Sequence, residues 1–473
     1  MLDAYLAFHA RQRPRAVALL TPRRRLTYAE LDADVNRFAG GLSGLGLSPA
    51  SGVVAVEAAT PYHKNVLTLA LARLAVASTP ASDAKADLVV SQRAGPSDGR
   101  TLRLSPDWTQ ATAAAPPVVV ASAARDPDGL ARVLLSSGLA EPRRVPLSWR
   151  RLEAQVLAAA ATYPAGRLGA WVLSLGVESE LGFVLAALAW SQGATAVTDW
   201  ESRDLPHLLE RQPPGLVALT PVQLSDLLRV LPAGFEPRPG WRLLVSGGLL
   251  APAVAREARL RLSSDVQVVY GSPETGRVAM GPAARLDQAP GAVGWPQPGV
   301  EIAIVGPDGQ PVAEGESGEI RIRSDRAARG YLDDPAATAE AFQGGFFRPG
   351  DLGRSLPDGA LVVEGRLDER MDIQGVKVLP SVLEHALLEH PGIRDAAAVA
   401  VPDAKGEDEC WIAVAGERQI ARAELLVRLT ASGARVPPVR FAWTEAIPRN
   451  AAGKVDRDAL RAQLASALTA SGV

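Results

Sequence analysis

The sequence has one cysteine, few aromatic residues and almost no net charge. Cys410 is the single cysteine among 473 residues, so an internal disulfide and a cysteine-ligated zinc site are excluded. The formal net charge of −2 gives no electrostatic reason to expect nucleic acid or an anionic membrane as a partner. With 47% apolar residues and this length, we expect a globular chain of at least two domains that acts on small molecules.

The sequence also lacks the apolar segments that mark export or membrane insertion. Its first residues, MLDAYLAFHARQRPRAV, contain no basic segment followed by an apolar stretch and a small-residue cleavage site, so we predict no signal peptide. The apolar run at residues 181–190 is too short to span a bilayer and is typical of a buried helix. We therefore expect a cytoplasmic protein.

Short apolar segments alternate with helix-like segments over the first 290 residues, which predicts parallel sheets covered by helices. The predicted strands are 52–56, 88–90, 216–219, 242–245 and 266–270. After residue 294 a period-two pattern around turn residues predicts a small antiparallel or barrel-like region. Beyond residue 370 we predict a helix at 381–389, a strand at 396–401 and a helix at 421–430. The fold class is therefore α/β, with a large N-terminal domain at residues 1–367 and a small α+β domain at residues 368–473.

Five segments carry chemically informative residues at recognisable spacing. They are LLSSGLAEPRRVPLS at 134–148, YGSPETG at 270–276, GFFRPGDLG at 345–353, VEGRLDERMDIQGVKV at 363–378 and PRNAAGK at 448–454. Together they resemble the motifs of adenylate-forming enzymes, the family of acyl-CoA and aryl-CoA synthetases, peptide-synthetase adenylation domains and luciferase. The resemblance implies that a carboxylic acid and ATP form an acyl-AMP, with Mg²⁺ as cofactor, and that the acyl group then passes to a thiol.

The first of these segments occupies the place of the family's phosphate loop, but it is altered. It keeps Ser136, Ser137 and Gly138, loses two threonines and a glycine, and carries Arg143 where lysine is expected. Backbone amides, hydroxyls and a cation suit such a loop to phosphate, and arginine still offers charge and a bidentate fork. We predict a phosphate-facing role, with an ordinary surface turn as the alternative.

The resemblance implies further nucleotide contacts in the large domain. Glu274 would hold magnesium, although Pro273 stands where the family has a threonine. Asp351 would accept hydrogen bonds from both ribose hydroxyls, and Arg366 would contact ribose or phosphate. The other implied nucleotide residues are Gly247, Gly248, Tyr270, Gly271 and Ser272.

The acid pocket is implied near residues 177–180 and at Ser246. Val177, Glu178 and Glu180 lie where relatives carry pocket residues, and a carboxylate there could pair with the ammonium of an amino acid. The alternative is that both glutamates lie on a solvated turn before a helix. The first reading would make the protein a stand-alone amino-acid adenylation enzyme.

The C-terminal motifs imply a mobile domain. Asp368 would be the hinge, Gly375 would line the thioester channel, and Lys454 would stabilise charge as pyrophosphate leaves. We predict activation of an aryl or acyl acid and transfer to CoA or to the phosphopantetheine of a separate acyl carrier protein. The alternative is a pseudoenzyme of the same fold that lacks efficient ATP chemistry. It is supported by three departures from the family pattern, namely the altered phosphate loop, Pro273 and Asp372.

Overall fold

A computed structural model describes residues 2–93, 99–117, 119, 125–136, 142–163, 169–236, 239–390, 392–403, 406–416, 420–431, 435–450 and 454–470. Within these residues the chain alternates helices and strands. The helices are α1 Leu2–Gln12, α2 Tyr28–Gly44, α3 Pro61–Arg73, α4 Pro106–Ala114, α5 Trp149–Thr162, α6 Glu180–Ser191, α7 Leu205–Arg211, α8 Pro221–Val230, α9 Pro252–Arg261, α10 Pro335–Ala341, α11 Pro380–Leu388, α12 Arg422–Ala431 and α13 Arg457–Ala470.

The strands fall into two groups along the chain. The first group is β1 Val17–Thr21, β2 Arg24–Thr27, β3 Val53–Glu57, β4 Ala77–Pro80, β5 Leu88–Ser91, β6 Thr101–Arg103, β7 Leu130–Leu135, β8 Arg144–Ser148, β9 Ala170–Leu173, β10 Thr195–Thr198, β11 Leu216–Leu219, β12 Arg242–Ser246 and β13 Asp265–Ser272. The second group is β14 Gly276–Pro282, β15 Ala292–Pro296, β16 Val300–Val305, β17 Gly318–Ser324, β18 Phe342–Gln343, β19 Phe346–Phe347, β20 Asp351–Ser355, β21 Leu361–Arg366, β22 Met371–Ile373, β23 Val376–Val378, β24 Ile393–Pro402, β25 Asp408–Gly416 and β26 Val439–Trp443.

Two large sheets organise the first two thirds of the chain. One has the order β6-β5-β3-β4-β7-β8, and the other runs through β13-β12-β11-β9-β10-β1-β2. Neighbouring strands from β6 to β7 and from β13 to β1 are parallel. The predicted parallel sheets are confirmed, and the prediction of an α/β fold class with them.

The helices between these sheets are held by capping and by apolar burial. Thr27 caps α2, because its Oγ1 accepts a hydrogen bond from the amide of Glu30 at 3.3 Å and the Glu30 carboxylate accepts one from the amide of Thr27 at 2.7 Å. Helix α6 is apolar almost all round and nearly every residue in it is buried, as the sequence predicts. Residues of α2, α3, α5 and α6 share one core with the six-stranded sheet.

The strands from β14 to β21 pair in antiparallel fashion. From β13 the large sheet continues through β14, β15, β21, β20, β17, β19 and β18, and each neighbouring pair along this path is antiparallel. This confirms the predicted antiparallel region after residue 294, whereas the antiparallel pairing already begins at β14, which starts at Gly276. Its consequence is that β20 and β21 bring Asp351 and Arg366 directly opposite each other.

The last hundred residues form small sheets with cores of their own. Strands β22 and β23 make a hairpin, and β24, β25 and β26 make a three-stranded sheet packed against α11, α12 and α13. The buried apolar residues that contact one another here all lie at or beyond Met371. Cys410 is buried in β25, as expected of a small apolar residue. No helix in the described part of the chain is long and apolar enough to cross a membrane.

Candidate active site

Two neighbouring parallel strands deliver residues to the same edge of the large sheet. Strands β12 and β13 are paired in parallel, and Ser246 ends β12 opposite Val269 of β13. Gly247 follows with φ +91°, a conformation that glycine adopts without strain. Ser246 is buried, whereas Gly248 lies in the turn that leads toward α9. The turn that the sequence predicts after a buried strand is therefore present, beside the end of β13.

Residues 272–276 form a tight connection between β13 and β14, which we call the Glu274 hairpin. Ser272 and Gly276 are paired, so three residues make the loop. A side chain at Gly271 would meet the Gly276 carbonyl at 2.1 Å, which explains the glycine in this strand. Thr275 is buried, and its hydroxyl donates to the Gly276 carbonyl at 3.1 Å. Thr275 therefore does not replace the hydroxyl lost at Pro273.

Glu274 is buried at the tip of this hairpin and is held by a tyrosine. The Tyr331 hydroxyl donates to Glu274 Oε1 at 3.0 Å, and the Arg143 guanidinium lies over the Tyr331 ring, 5.1 Å from its centroid. Burial and the neighbouring Glu274 raise the pKa of Tyr331 well above its ordinary value, so the phenol stays a donor. The structure thus brings the predicted cation Arg143 and the predicted metal ligand Glu274 to two sides of one ring.

The base of the phosphate loop is closed by hydrogen bonds. The Ser136 amide donates to the Arg143 carbonyl at 2.9 Å, and the Arg143 amide donates to Ser136 Oγ at 2.8 Å. Ser137 and Gly138 lie outside the described residues. The predicted phosphate loop is therefore anchored at both ends beside β7 and β8, and its role in binding phosphate stays a prediction.

Asp351 lies at the centre of the predicted nucleotide residues. It begins β20 opposite Arg366, and its Oδ2 accepts a hydrogen bond from the Tyr270 hydroxyl at 2.5 Å while Oδ1 lies 3.7 Å from Arg366 Nη1. Burial raises the pKa of Asp351, while the Tyr270 hydrogen bond and the charges of Arg366 and Lys454 oppose that rise. Three residues predicted from separate motifs therefore act on the Asp351 carboxylate.

The same arginine reaches the predicted hinge. Arg366 donates through Nε and Nη2 to the two carboxylate oxygens of Asp368, at 3.0 and 2.9 Å, and through Nη1 to the Pro349 carbonyl at 2.7 Å. The pair with Arg366 lowers the pKa of Asp368, and the pair with Asp368 raises that of Arg366. Arg366 therefore links the nucleotide residues to the predicted hinge.

Gly375 lies at the tip of the β22–β23 hairpin. Gln374 and Gly375 have φ of +51° and +78°, which is typical of a two-residue turn that matches strand twist. The Gly375 amide donates to Asp372 Oδ1 at 3.1 Å. Asp372, a departure from the family pattern, therefore stabilises the turn that presents Gly375, and the channel role of Gly375 stays a prediction.

Lys454 lies in a short bridged turn. The amide of Lys454 donates to Asn450 Oδ1 at 3.1 Å, and the Asn450 amide donates to the Lys454 carbonyl at 2.9 Å. The three residues between them lie outside the described part. The charge of Lys454 opposes the rise in the pKa of Asp351 that burial causes, and the catalytic role of Lys454 stays a prediction.

The two glutamates of the predicted acid pocket have different environments. Glu178 is 43% exposed and pairs with Lys64 at 2.6 Å, which fits the solvated-turn alternative. Glu180 opens α6 but is buried, so that alternative is wrong for Glu180. Burial raises the pKa of Glu180 to about 7, with the charges of Arg277 and Arg151 opposing the rise. Val177, between β9 and α6, is also buried.

Two site residues escape sequence reasoning. Tyr331 lies in the segment GYLDD, and Arg151 lies in the first turn of α5 beside an exposed arginine. Arg151 donates to the Glu274 carbonyl, which is 123 positions away along the chain. A tyrosine in a polar loop before a helix was the available signal for Tyr331, whereas no local sequence feature separates Arg151 from Arg150.

The oxygen atoms that these residues offer are suited to binding a nucleotide together with magnesium. Magnesium takes one or two carboxylates and completes its shell with phosphate oxygens and water, so the single buried Glu274 suits it. Among the described residues no cluster of three acidic, histidine or cysteine side chains could hold a metal alone. Asp351 has accepting capacity left beside the Tyr270 hydrogen bond, because a carboxylate offers about four lone-pair sites.

Comparison with known proteins agrees with this site. The family model described as AMP-binding enzyme matches residues 6–332. The chain is 31% identical to the salicyl-AMP ligase / salicyl-S-ArCP synthetase of Mycobacterium tuberculosis, over 98% of this chain and 90% of that protein. It is 29% identical to the 2-hydroxy-7-methoxy-5-methyl-1-naphthoate–CoA ligase of Streptomyces carzinostaticus, over 98% and 92%. The o-succinylbenzoate CoA synthetase of Bacillus subtilis, solved with its acyl-adenylate intermediate, has the same fold, with a TM-score of 0.83, 20% identity and 97% of each chain covered.

Proposed function

The chain belongs to the family of AMP-binding enzymes, as a ligase that activates carboxylic acids, and we propose that its substrate is an aryl or acyl acid. The acid is joined to AMP and then passes to the thiol of CoA or of a carrier protein's phosphopantetheine. The aryl preference rests on the relatives, whose names give salicylate and a substituted naphthoate.

One arrangement carries this function. Asp351 receives the Tyr270 hydroxyl and lies beside Arg366, and the charge of Lys454 acts on the same carboxylate. These residues come from four motifs in both parts of the chain. A scaffold without nucleotide chemistry has no reason to gather a ribose acceptor, two cations and a tyrosine at one place.

Each residue has a task in the first half-reaction. When bound, ATP supplies the α-phosphate that the acid attacks and the pyrophosphate that leaves, and Glu274 would hold its Mg²⁺. Asp351 accepts hydrogen bonds from the ribose hydroxyls and fixes the nucleotide. Lys454 and Arg143 place positive charge where negative charge grows, which lowers the barrier most when water is excluded.

The second half-reaction requires a rearrangement of the C-terminal part. We place a domain boundary between residues 367 and 368, with Asp368 as hinge. The separate apolar clusters beyond Met371 support this division, because a unit with its own core can move as a body. In the second arrangement the turn at Gly375 replaces Lys454 at the acyl-adenylate.

The environments of Glu178 and Glu180 favour an acid without an amino group. Glu178 pairs with Lys64, and Glu180 is enclosed with Arg151 and Arg277. Both carboxylates therefore already have cationic neighbours, and an incoming ammonium would have to compete with them. Amino-acid activation is therefore the weaker candidate. A cytoplasmic location suits the proposed use of ATP and CoA.

Pyrophosphate exchange with a panel of aryl, acyl and amino acids tests the function. We expect exchange with an aryl or acyl acid and a fall of about 10²- to 10³-fold in Lys454→Ala, the usual effect of removing one group that stabilises transition-state charge. Lys377→Ala is the control, because Lys377 is an exposed lysine of the β22–β23 hairpin. Absence of exchange with every acid, together with absence of ATP binding by calorimetry, would establish the pseudoenzyme instead.

A further inference from the structure

The Arg151 side chain connects three separate segments through their main chains. Its Nε donates to the Arg326 carbonyl at 2.8 Å, its Nη1 donates to the Pro146 carbonyl, and its Nη2 donates to the carbonyls of Pro273 and Glu274 at 3.3 and 3.1 Å. A guanidinium is the one side chain with enough fixed donors for such a set.

The first half-reaction requires these segments to keep fixed positions relative to one another. Pro146 belongs to β8, which leaves the phosphate loop, and Pro273 and Glu274 belong to the Glu274 hairpin. The Arg326 loop closes on the same hairpin, because the Ala328 amide donates to the Glu274 carbonyl at 2.6 Å. Arg151 is itself fixed, since its amide donates to Ser148 Oγ, the cap of α5.

Arg151 holds Glu274 through its main chain. Its side chain donates to neutral carbonyls, while the charges of the nearby Glu180 and Glu274 both act on the buried guanidinium. The Glu274 carboxylate accepts a hydrogen bond from a neutral phenol at Tyr331. Because a carboxylate offers about four lone-pair sites, this group keeps accepting capacity for a cation, as a metal ligand requires.

We propose that Arg151 is a positioning residue that locks the Glu274 hairpin to the strand leaving the phosphate loop and so sets the place of the magnesium carboxylate. The proposal rests on the proposed function for the identity of the cation. The carbonyls of Pro273 and Glu274 are both held from outside the hairpin.

Arg151→Lys and Arg150→Lys form a matched pair for the test. Arg150 is the neighbouring arginine, and its exposed side chain pairs with the exposed Asp128. Lysine keeps the charge and the apolar stem but cannot reach carbonyls in three directions. Amide hydrogen exchange of residues 270–280 and 326–330 measures the lock directly, in protein without nucleotide.

We expect about tenfold faster exchange at the amides of Thr275 and Ala328 in Arg151→Lys, and unchanged exchange in Arg150→Lys. In pyrophosphate exchange, the Mg²⁺ concentration for half-maximal rate rises about tenfold in Arg151→Lys, whereas the KM for the acid stays within about twofold. Slower turnover with unchanged Mg²⁺ dependence, or unchanged hydrogen exchange, overturns the proposal.

The two readouts separate this proposal from the function on which it rests. If the wild-type chain exchanges no pyrophosphate with any acid, the function fails, and hydrogen exchange alone still decides whether Arg151 locks the hairpin. If circular dichroism shows that Arg151→Lys is unfolded, Pro273→Ala is the second variant. Faster hydrogen exchange at the Thr275 amide but not at the Ala328 amide supports the lock. Equally faster exchange at both amides overturns it.

Discussion

Glu180 is a carboxyl group whose burial outweighs the attraction of two arginines. Its folded-state pKa of about 7 exceeds the ordinary value of 4.5, so the folded protein binds a proton more tightly than the unfolded chain. The contribution of this group to stability is therefore fully present below pH 4.5 and is lost as the pH rises through about 7.

Glu180→Gln removes this dependence. Between pH 5.5 and pH 8 the unfolding free energy of the wild type should fall by about 2 kcal/mol relative to the variant, by the linkage of one such group. Urea unfolding of both proteins at the two pH values measures it. A difference between the proteins that is the same at both pH values would contradict the assignment.

At the residue scale, the sequence predicts most of the site residues but not the residues that hold them in position. Asp351, Arg366, Glu274 and Lys454 stand in short motifs whose spacing survives in the chain, and the structure places Asp351 beside Tyr270 and Arg366. Tyr331 and Arg151 act through contacts between distant segments, and no local pattern encodes a hydrogen bond across 123 positions. The burial of Glu180 also depends on distant segments, so the sequence could not exclude the solvated-turn alternative for it.

At the scale of elements, the turn of the β22–β23 hairpin requires a backbone conformation that favours glycine. Gly375 has φ +78° with nothing within 4 Å of a side chain placed there, and Gly359, in the turn before β21, has φ +80° and the same free space. A side chain at either position costs about 1–2 kcal/mol in this backbone conformation. The two positions therefore differ in location and not in strain.

Gly375→Leu and Gly359→Leu should both lose this stability, and Gly375→Leu alone should lose thioester formation. We expect pyrophosphate exchange to stay near wild type in both variants, because the predicted role of Gly375 belongs to the second half-reaction. Thermal unfolding and a thiol-transfer assay with CoA and with a carrier protein measure the two effects. Equal transfer rates in the two variants would remove Gly375 from the channel.

Five strands of the parallel sheets, β3, β5, β11, β12 and β13, lie within two residues of their predicted bounds, because buried parallel strands are short apolar runs between turn residues. Strand β24 shows the limit: residues 396–401 were predicted, and the strand covers Ile393–Pro402. Its first residue, Ile393, is buried but is separated from the predicted run by the polar Arg394 and Asp395, and its last residue, Pro402, is exposed and pairs with Asp408 of β25. Pairing partners therefore extend elements beyond what periodicity alone indicates.

For the molecule as a whole, the predicted hinge can be tested by stiffening it. Asp368→Pro fixes φ near −65°, whereas Asp368→Ala loses the same ion pair with Arg366 and leaves the backbone free. We expect thiol transfer to fall on the order of tenfold or more in Asp368→Pro relative to Asp368→Ala, with similar pyrophosphate exchange in both, because a rearrangement limits only the second step. Parallel losses of both activities would place the hinge elsewhere.

Cys410 offers a practical route to watching that rearrangement. Burial raises the pKa of its thiol to about 12, so at neutral pH it is almost wholly protonated and reacts slowly with maleimides. The native chain is thus a nearly silent background for site-directed labelling. Leu260→Cys and Val427→Cys, at positions that are 74% and 65% exposed on either side of residue 368, would accept a donor and an acceptor dye. Energy transfer between the two dyes would then report the proposed rearrangement of the C-terminal part in single molecules.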